Sequence, residues 1–407
     1  MFRKTHTNPK QLLLNACRNG DYDVALRLIE AGADVSKTYT NGCTALMFAC
    51  QDGHDRVALQ LIKAGAKVNQ TDEDGWTAMM FACQYGHDQC ALQLIEAGVA
   101  VDHTKDDWTA LMFACKNGHD RVARVMIEAG AAIDQTEKDG FTALMLACQN
   151  SHDACALQLV KAGADIDHAN VNGVTALMKS CQNGHDCVAL HLIKLGAKFD
   201  QSKKDGWTAL MLVCENGHDS VALQLIKVKA NLEAMLPSGH TALMVACQNG
   251  HGRVALQLIK TGGDVDYANV YGITALMIAC KNGHDQCALQ LIKAGAKVDQ
   301  ADKDGTTALM LACQNGHDPC ALQLIESGAN VNHAATNGVT ALIKACQNGH
   351  DPCALQLIES GANVNHAATN GVTALIKACQ NGHDRVALHL IKAGSTSRSG
   401  GPKASPR

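Results

Sequence analysis

The chain repeats itself with a fixed step. Thr-Ala-Leu-Met, or a near variant, begins at Thr44, Thr77, Thr109, Thr142, Thr175, Thr208, Thr241, Thr274, Thr307, Thr340 and Thr373, a period of 33 residues with one step of 32. A degenerate first copy, Gln11-Leu12-Leu13-Leu14, keeps the register through Gly20 and Gly32, which makes twelve units. Units of this length cannot each bury an apolar face alone, so neighbours must share a continuous core. This organisation replaces the two or three separate domains that 407 residues would otherwise suggest. The array is expected over 11–394, between a polar leader at 1–10 and a disordered tail at 395–407 that has too few apolar residues to pack.

Within one unit, residues 41–73, the local signals agree. Thr44 is placed to cap a helix of about two turns, with Ala45, Leu46, Ala49 and Cys50 on one face. Gly53 is free to take a positive φ, and Asp55 is expected to cap a second helix. Pro319 and Pro352, which follow that Asp in two later copies, are expected at the first helical position. Val57, Ala58, Leu61 and Ile62 supply the buried face, Gly65 ends the helix in the left-handed conformation, and 66–75 reads as a hairpin-like loop. The residue missing from the short step falls before Asp107, at such a loop tip.

A unit of loop, helix, turn and helix carrying Gly75-Trp76-Thr77-Ala78-Met79-Met80-Phe81-Ala82-Cys83, then Gly86-His87 and Ala97-Gly98, resembles the ankyrin repeat. The resemblance implies an all-α solenoid of helix-turn-helix units and a role in binding other proteins. The departures are systematic. Ala replaces the family's Pro, Met or Ile replaces the His of its Thr-Pro-Leu-His motif, and Cys replaces its second Ala. The family's Thr-to-His hydrogen bond cannot form, so apolar packing has to hold more of the unit.

Composition fits thin layers. Apolar residues are 47% of the chain but aromatics only 3%, so small side chains must let helices approach closely. A formal charge of −4 with both signs interspersed gives no electrostatic case for nucleic acid, and no apolar run approaches the length of a membrane span. The polar start lacks a secretory signal, and 19 cysteines without one point to a reducing cytoplasmic or nuclear compartment. Residues 312–351 recur unchanged as 345–384.

Three ladders run along the array. Twelve cysteines, Cys17 through Cys379, share one position of the first helix. Neighbouring helices stand about 8–10 Å apart, beyond the reach of a disulfide along the ladder, and the Cys-x3-His spacing lacks the grouping of a zinc site. Eleven histidines, His54 through His383, occupy the turn between helices, and bonding of the turn to backbone explains them better than acid–base chemistry. The nine methionines from Met47 to Met310 read as core. No cofactor or metal is expected, and the chain is read as no enzyme; a thiol- or metal-dependent activity on these ladders is the remote alternative. Leu-Gln recurs in the second helix, as at Leu59-Gln60 and Leu92-Gln93, where the family has polar then apolar. A rotated helix that buries Leu is the plainer account, and an exposed Leu stripe for self-association of an otherwise monomeric chain is the sharper one.

The family resemblance places the residue after each loop Gly in the partner-binding groove. All three tryptophans, Trp76, Trp108 and Trp207, stand there, as does Phe141. Eight of the 14 aromatics, including Tyr85, fall within 39–141, and none follows Tyr271. Units 2–5 are therefore the expected contact surface, with Glu73, Asp74, Asp106 and Lys138 at the loop tips. The resemblance also marks Asn69, Asn332 and Asn365 as positions where a 2-oxoglutarate-dependent asparaginyl hydroxylase can act. At Lys229 the usual Gly is missing and Met235-Leu236 makes the following tip apolar, so this unit is expected to end differently, as a bend or weak joint, or to be merely loose. The function expected is a scaffold or adaptor, with a regulatory or targeting subunit of a separate enzyme as the alternative.

Overall fold

The computed structural model describes residues 9–394. It divides into two compact units, 1–198 and 199–407. The first contains six helix pairs: Pro9–Asn19 with Tyr22–Glu30, Ala45–Gln51 with Asp55–Lys63, Ala78–Tyr85 with Asp88–Glu96, Ala110–Asn117 with Asp120–Glu128, Ala143–Gln149 with Asp153–Lys161, and Ala176–Asn183 with Asp186–Lys194. The second contains Ala209–Asn216 with Asp219–Lys227, Ala242–Gln248 with Gly252–Lys260, Ala275–Asn282 with Asp285–Lys293, Ala308–Asn315 with Asp318–Glu326, Ala341–Asn348 with Asp351–Glu359, and Ala374–Gln380 with Asp384–Lys392. Inside each unit, first helices pack on first helices and second on second, the stacking of a helical solenoid. The opening helix starts at Pro9, two residues inside the expected leader; the rest of that leader and the tail at 395–407 lie outside the described residues.

The short helix of each repeat forms because its cap is built in. Thr44 Oγ1 accepts the Met47 N–H at 3.2 Å, and the same bond recurs as far as Thr373 and Ile376 at 3.4 Å. These threonines are buried, and each such cap stabilises its helix by about 1 kcal/mol. Without the family's His, the methionine sulfur takes over part of its role: Met47 Sδ accepts the Thr44 N–H at 3.3 Å, and Met112 Sδ that of Thr109 at 3.5 Å.

The second helix starts differently from the sequence expectation. His54 is the N-cap, and Asp55 is the first helical residue with no capping bond from the His side chain. Asp55 acts instead as a negative charge in the first turn, where the helix dipole favours it. Pro319 and Pro352 are consequently the second helical residues, a position whose N–H also has no partner within the helix.

Two of the positive-φ glycines of a repeat are required for different reasons. Gly53, at φ 74°, faces the next repeat, where an added Cβ would stand 2.5 Å from the His87 ring. Gly65, at φ 85°, has nothing within 4 Å of such a Cβ. Only backbone conformation demands glycine there, and Lys229 uses that tolerance. It takes φ 64°, donates to Ile226 O at 3.0 Å, and is followed by Ala230 donating to Leu225 O at 3.0 Å. Gly65 and Ala66 make the same pair of bonds at 2.9 and 3.0 Å, so the helix before Lys229 does not end differently and no bend is present in its backbone pattern. What remains is conformational cost: Lys229→Gly is expected to raise the urea midpoint by the equivalent of about 1 kcal/mol, and an unchanged midpoint would show the position to be unstrained.

The shortened repeat is rebuilt as a tight hairpin. Asp106 and Asp107 both have positive φ, 48° and 67°, and join strands Thr104–Lys105 and Trp108–Thr109. This is the two-residue loop that twists with its strands. Thr104 pairs with Thr109, whereas the ordinary repeat pairs Thr71 with Thr77. The deletion is thus absorbed ahead of the capping Thr, leaving the helices in phase.

Candidate functional site

The aromatic residues of the first unit form a stripe of rings. Trp76 stacks on Phe81 at a centroid separation of 5.1 Å and lies 4.7 Å from Phe113, which in turn stacks on Trp108 at 5.3 Å. Each Trp precedes a capping Thr and each Phe follows it by four residues, so the short helix and the hairpin in front of it present one ring each to a common surface. All four rings are half-buried. They shield the core beneath and leave an aromatic face outward. Lys105 Nζ sits 5.7 Å from the Trp76 ring and Lys116 Nζ 4.8 Å from that of Trp108, within the range of cation–π attraction.

The structure joins Trp76 and Trp108 through Phe113, and it adds Phe81, Phe113, Lys105 and Lys116, which the groove position alone did not select. The signal was present in the sequence: a Phe five residues after each of these two tryptophans. Phe141 lies outside the ring contacts and packs under Lys179 at 5.3 Å. Trp207 belongs to the second unit, with Lys203 Nζ 5.9 Å from its ring. Tyr85 is 46% exposed and outside these ring contacts.

The charged tips are divided in role. Glu73, Asp74, Asp106 and Lys138 are exposed. Asp106 pairs with Lys105, which ties the tip to the Trp76 ring. Asp72, between strand bridge and tip, accepts the N–H groups of Asp74 at 3.0 Å and Trp76 at 2.8 Å, and so sets the entry of Trp76 into the surface. Buried Glu137 does the same for Phe141, accepting its N–H at 3.0 Å.

The asparagines marked for hydroxylation serve as pegs between repeats. Asn69 Oδ1 accepts the Ala100 N–H at 2.8 Å, and Asn332 Oδ1 that of Asn363 at 2.7 Å. Asn332 and Asn365 also donate to Gly361 O and Gly394 O, at 3.1 and 3.2 Å. Asp102 fills the same role toward Ala132 N at 2.8 Å.

The histidine ladder is bonded from repeat to repeat. His87 Nε2 pairs with Gln51 O and His119 Nε2 with Gln84 O, both at 3.0 Å, and the pattern continues to His383 and Gln347 O at 3.2 Å. His185 departs from it. Its Nε2 is buried without a partner and its Nδ1 meets Ser151 Oγ at 2.8 Å. Ser151, at φ 67°, stands where other repeats have the turn Gly, and its side chain rather than a bare backbone faces the histidine ring.

The cysteine ladder is core. Cys17, Cys50, Cys83 and Cys115 are fully buried, while Cys379 is exposed. Burial pushes the Cys17 and Cys148 thiols up to about 12, and those of Cys83, Cys181 and Cys214 higher still. A second set of cysteines neighbours the ladder, Cys90 beside Cys50, Cys155 beside Cys115, Cys287 beside Cys247, Cys320 beside Cys280 and Cys353 beside Cys313, and Cys353 Sγ donates to Asp318 Oδ1 at 2.9 Å. Each pair joins the first helix of one repeat to the second helix of the next. Ladder thiols held protonated by burial, such as those of Cys83, Cys148 and Cys181, are poor nucleophiles, and among the described residues no three His, Cys, Asp or Glu side chains gather as a metal-binding group.

The Leu-Gln pattern resolves against the buried-Leu account. Leu59, Leu157 and Leu223 are half-buried, and Leu92 and Leu322 are 38% and 41% exposed. The buried stripe runs through Val57, Ala58 and Leu61. Leu59 lies about 200° round the helix from Val57 and cannot share it. The helix is not rotated, and the following glutamines of four repeats, Gln93, Gln158, Gln323 and Gln356, hide a carbonyl oxygen with no partner.

A sequence model described as Ankyrin repeats (3 copies) matches residues 13–105, 100–170, 125–202, 159–235, 177–269, 243–335 and 323–398. No match was found among curated proteins. Among the described residues no helix is long and apolar enough to cross a membrane. Paired helices in sequential contact, capped by a repeated Thr and matched by the family's own pattern from residue 13 to residue 398, leave one conclusion: the chain belongs to the ankyrin repeat family.

Proposed function

We propose that the chain is a non-catalytic scaffold or adaptor that holds a partner protein on the aromatic stripe of repeats two to five. Ankyrin repeats are generally protein-interaction modules. The observation that carries the placement is the contact run Phe81–Trp76–Phe113–Trp108, half-exposed and bordered by Lys105 and Lys116. Rigid aromatics bury much area at little entropic cost, and exposed acidic tips beside them supply charge selectivity. Free thiols suit a cytoplasmic or nuclear setting. The chain acts as a monomer in this reading, with the half-exposed Leu stripe of the second helices as the surface through which copies would associate.

The test is affinity purification with the wild-type chain and with Trp76→Ala and Trp108→Ala variants. Each substitution is expected to weaken recovery of the partner by about 2 kcal/mol, roughly 30-fold in Kd, with the helical circular dichroism retained. Unchanged fold together with unchanged recovery would remove the stripe from the interface. A catalytic protein recovered in stoichiometric amount would make the chain the targeting or regulatory subunit of that enzyme.

A further inference from the structure

Met235 departs from the position it occupies. In the other hairpins that position pairs with the capping Thr and holds Thr, Ala or Ser, from Thr38 and Thr71 to Ala334 and Ala367. Met235 makes no such bridge and is 52% exposed. The other eleven methionines among the described residues are at most 1% exposed, locked in the core between helices. One thioether of the array is therefore open to solvent chemistry, and the rest are not.

The exposed sulfur is also held in place. Tyr267 Oη, on the loop leading into the next repeat, donates to Met235 Sδ at 2.7 Å. A thioether sulfur carries two lone pairs and is a weak acceptor. The phenol hydrogen occupies one of them, and the other is left for an electrophile arriving from solvent. The two lone pairs are thus made inequivalent by a contact between neighbouring repeats, and oxygen added to one or the other gives opposite epimers of the sulfoxide.

We propose that Met235 is a reversible sulfoxidation site for hydrogen peroxide, and that Tyr267 positions its sulfur so that one epimer forms. The free lone pair attacks one peroxide oxygen, the O–O bond breaks, and the proton on that oxygen passes to the departing hydroxide, leaving sulfoxide and water. Sulfur is oxidised by two electrons and the peroxide is reduced by two. The product replaces an apolar thioether by a polar S=O group, which removes the apolar character of the tip at Met235-Leu236 and offers the Tyr267 hydroxyl a stronger acceptor. Enzymatic reduction of the sulfoxide restores the starting state. The site is separate from the aromatic stripe and stands or falls without it.

The test is a hydrogen peroxide time course on the full folded chain, followed by peptide mass mapping. The exposed thiols, Cys187 and Cys379, are first blocked with N-ethylmaleimide. Met235 is expected to gain one oxygen at least about tenfold faster than any other described methionine, because the buried ones react only after local opening. Met235→Leu should abolish this first addition, which checks the site without relying on Tyr267. The oxidised Met235 peptide, once released, is then offered to each of the two sulfoxide reductase classes, which act on opposite epimers. One class is expected to restore nearly all of it from the wild-type chain. From Tyr267→Phe, which keeps the ring and removes only the hydroxyl, each class should restore a comparable share. Oxidation of Met235 no faster than that of buried Met112 or Met145 would overturn the proposal, and so would the same epimer ratio in the wild-type and Tyr267→Phe chains.

Discussion

Raising the pH from about 9 to about 10 is expected to unfold the first unit. Its six ladder thiols, Cys17, Cys50, Cys83, Cys115, Cys148 and Cys181, are buried and all have raised pKa values in the folded state. The sign follows from proton counting. Near pH 9 the unfolded thiols release their protons while the folded ones keep them, so the unfolded state binds fewer protons and stability falls as pH rises. Each thiol loses the folded state about 1 kcal/mol over this pH unit, and six together about 6 kcal/mol, comparable to the whole stability of many domains. Below the unfolded thiol pKa this contribution is fully present, so the unit should be insensitive to pH between about 7 and 8 on this account. Thermal melts under reducing conditions across this range supply the measurement. Replacing Cys83 and Cys148 with Ala should flatten the alkaline slope by about a third, and a slope that does not respond to removing thiols would show that other groups control it.

Gly86→Ala is expected to destabilise its unit by about 2–3 kcal/mol, in two parts. Holding Ala at φ 83° costs about 1–2 kcal/mol. The new Cβ would also lie 2.5 Å from His119 Nδ1, and displacing that ring breaks its 3.0 Å bond to Gln84 O, worth about 1 kcal/mol. Gly65→Ala is the control, since it carries the φ cost but meets open space. Ser151 already displays the outcome within the chain: a side chain at φ 67°, and a next histidine, His185, that has lost its backbone acceptor. Ser151→Gly should therefore stabilise by about 1–2 kcal/mol. Urea denaturation gives all three values, and equal losses for Gly86→Ala and Gly65→Ala would show that the ring contact contributes nothing.

These cases separate two kinds of information in the chain. The period, the capping Thr, the turn Gly and the small residues of the first helix were legible because each acts locally or through a contact that recurs at a fixed step. The same logic located the shortened hairpin before Asp107. It misplaced the start of the second helix because His54 and Asp55 are adjacent and both fit a cap; the backbone angles of His54 decide between them. It overread Lys229, since the cost of a positive φ is a sequence property but whether the side chain has room is not.

What the sequence alone determined is the repeat, the helical class and the family, because these rest on periodicity and local propensity that every unit expresses again. Tertiary structure decided which side chains meet across repeats: the Trp76–Phe113–Trp108 stripe, the cysteine pairs from one repeat to the next, the exposed Leu of the second helix, and the contact of Tyr267 with the sulfur of Met235. The physical reason is that a periodic pattern fixes the position of a residue on its own helix, while contact and burial depend on how neighbouring layers close over it.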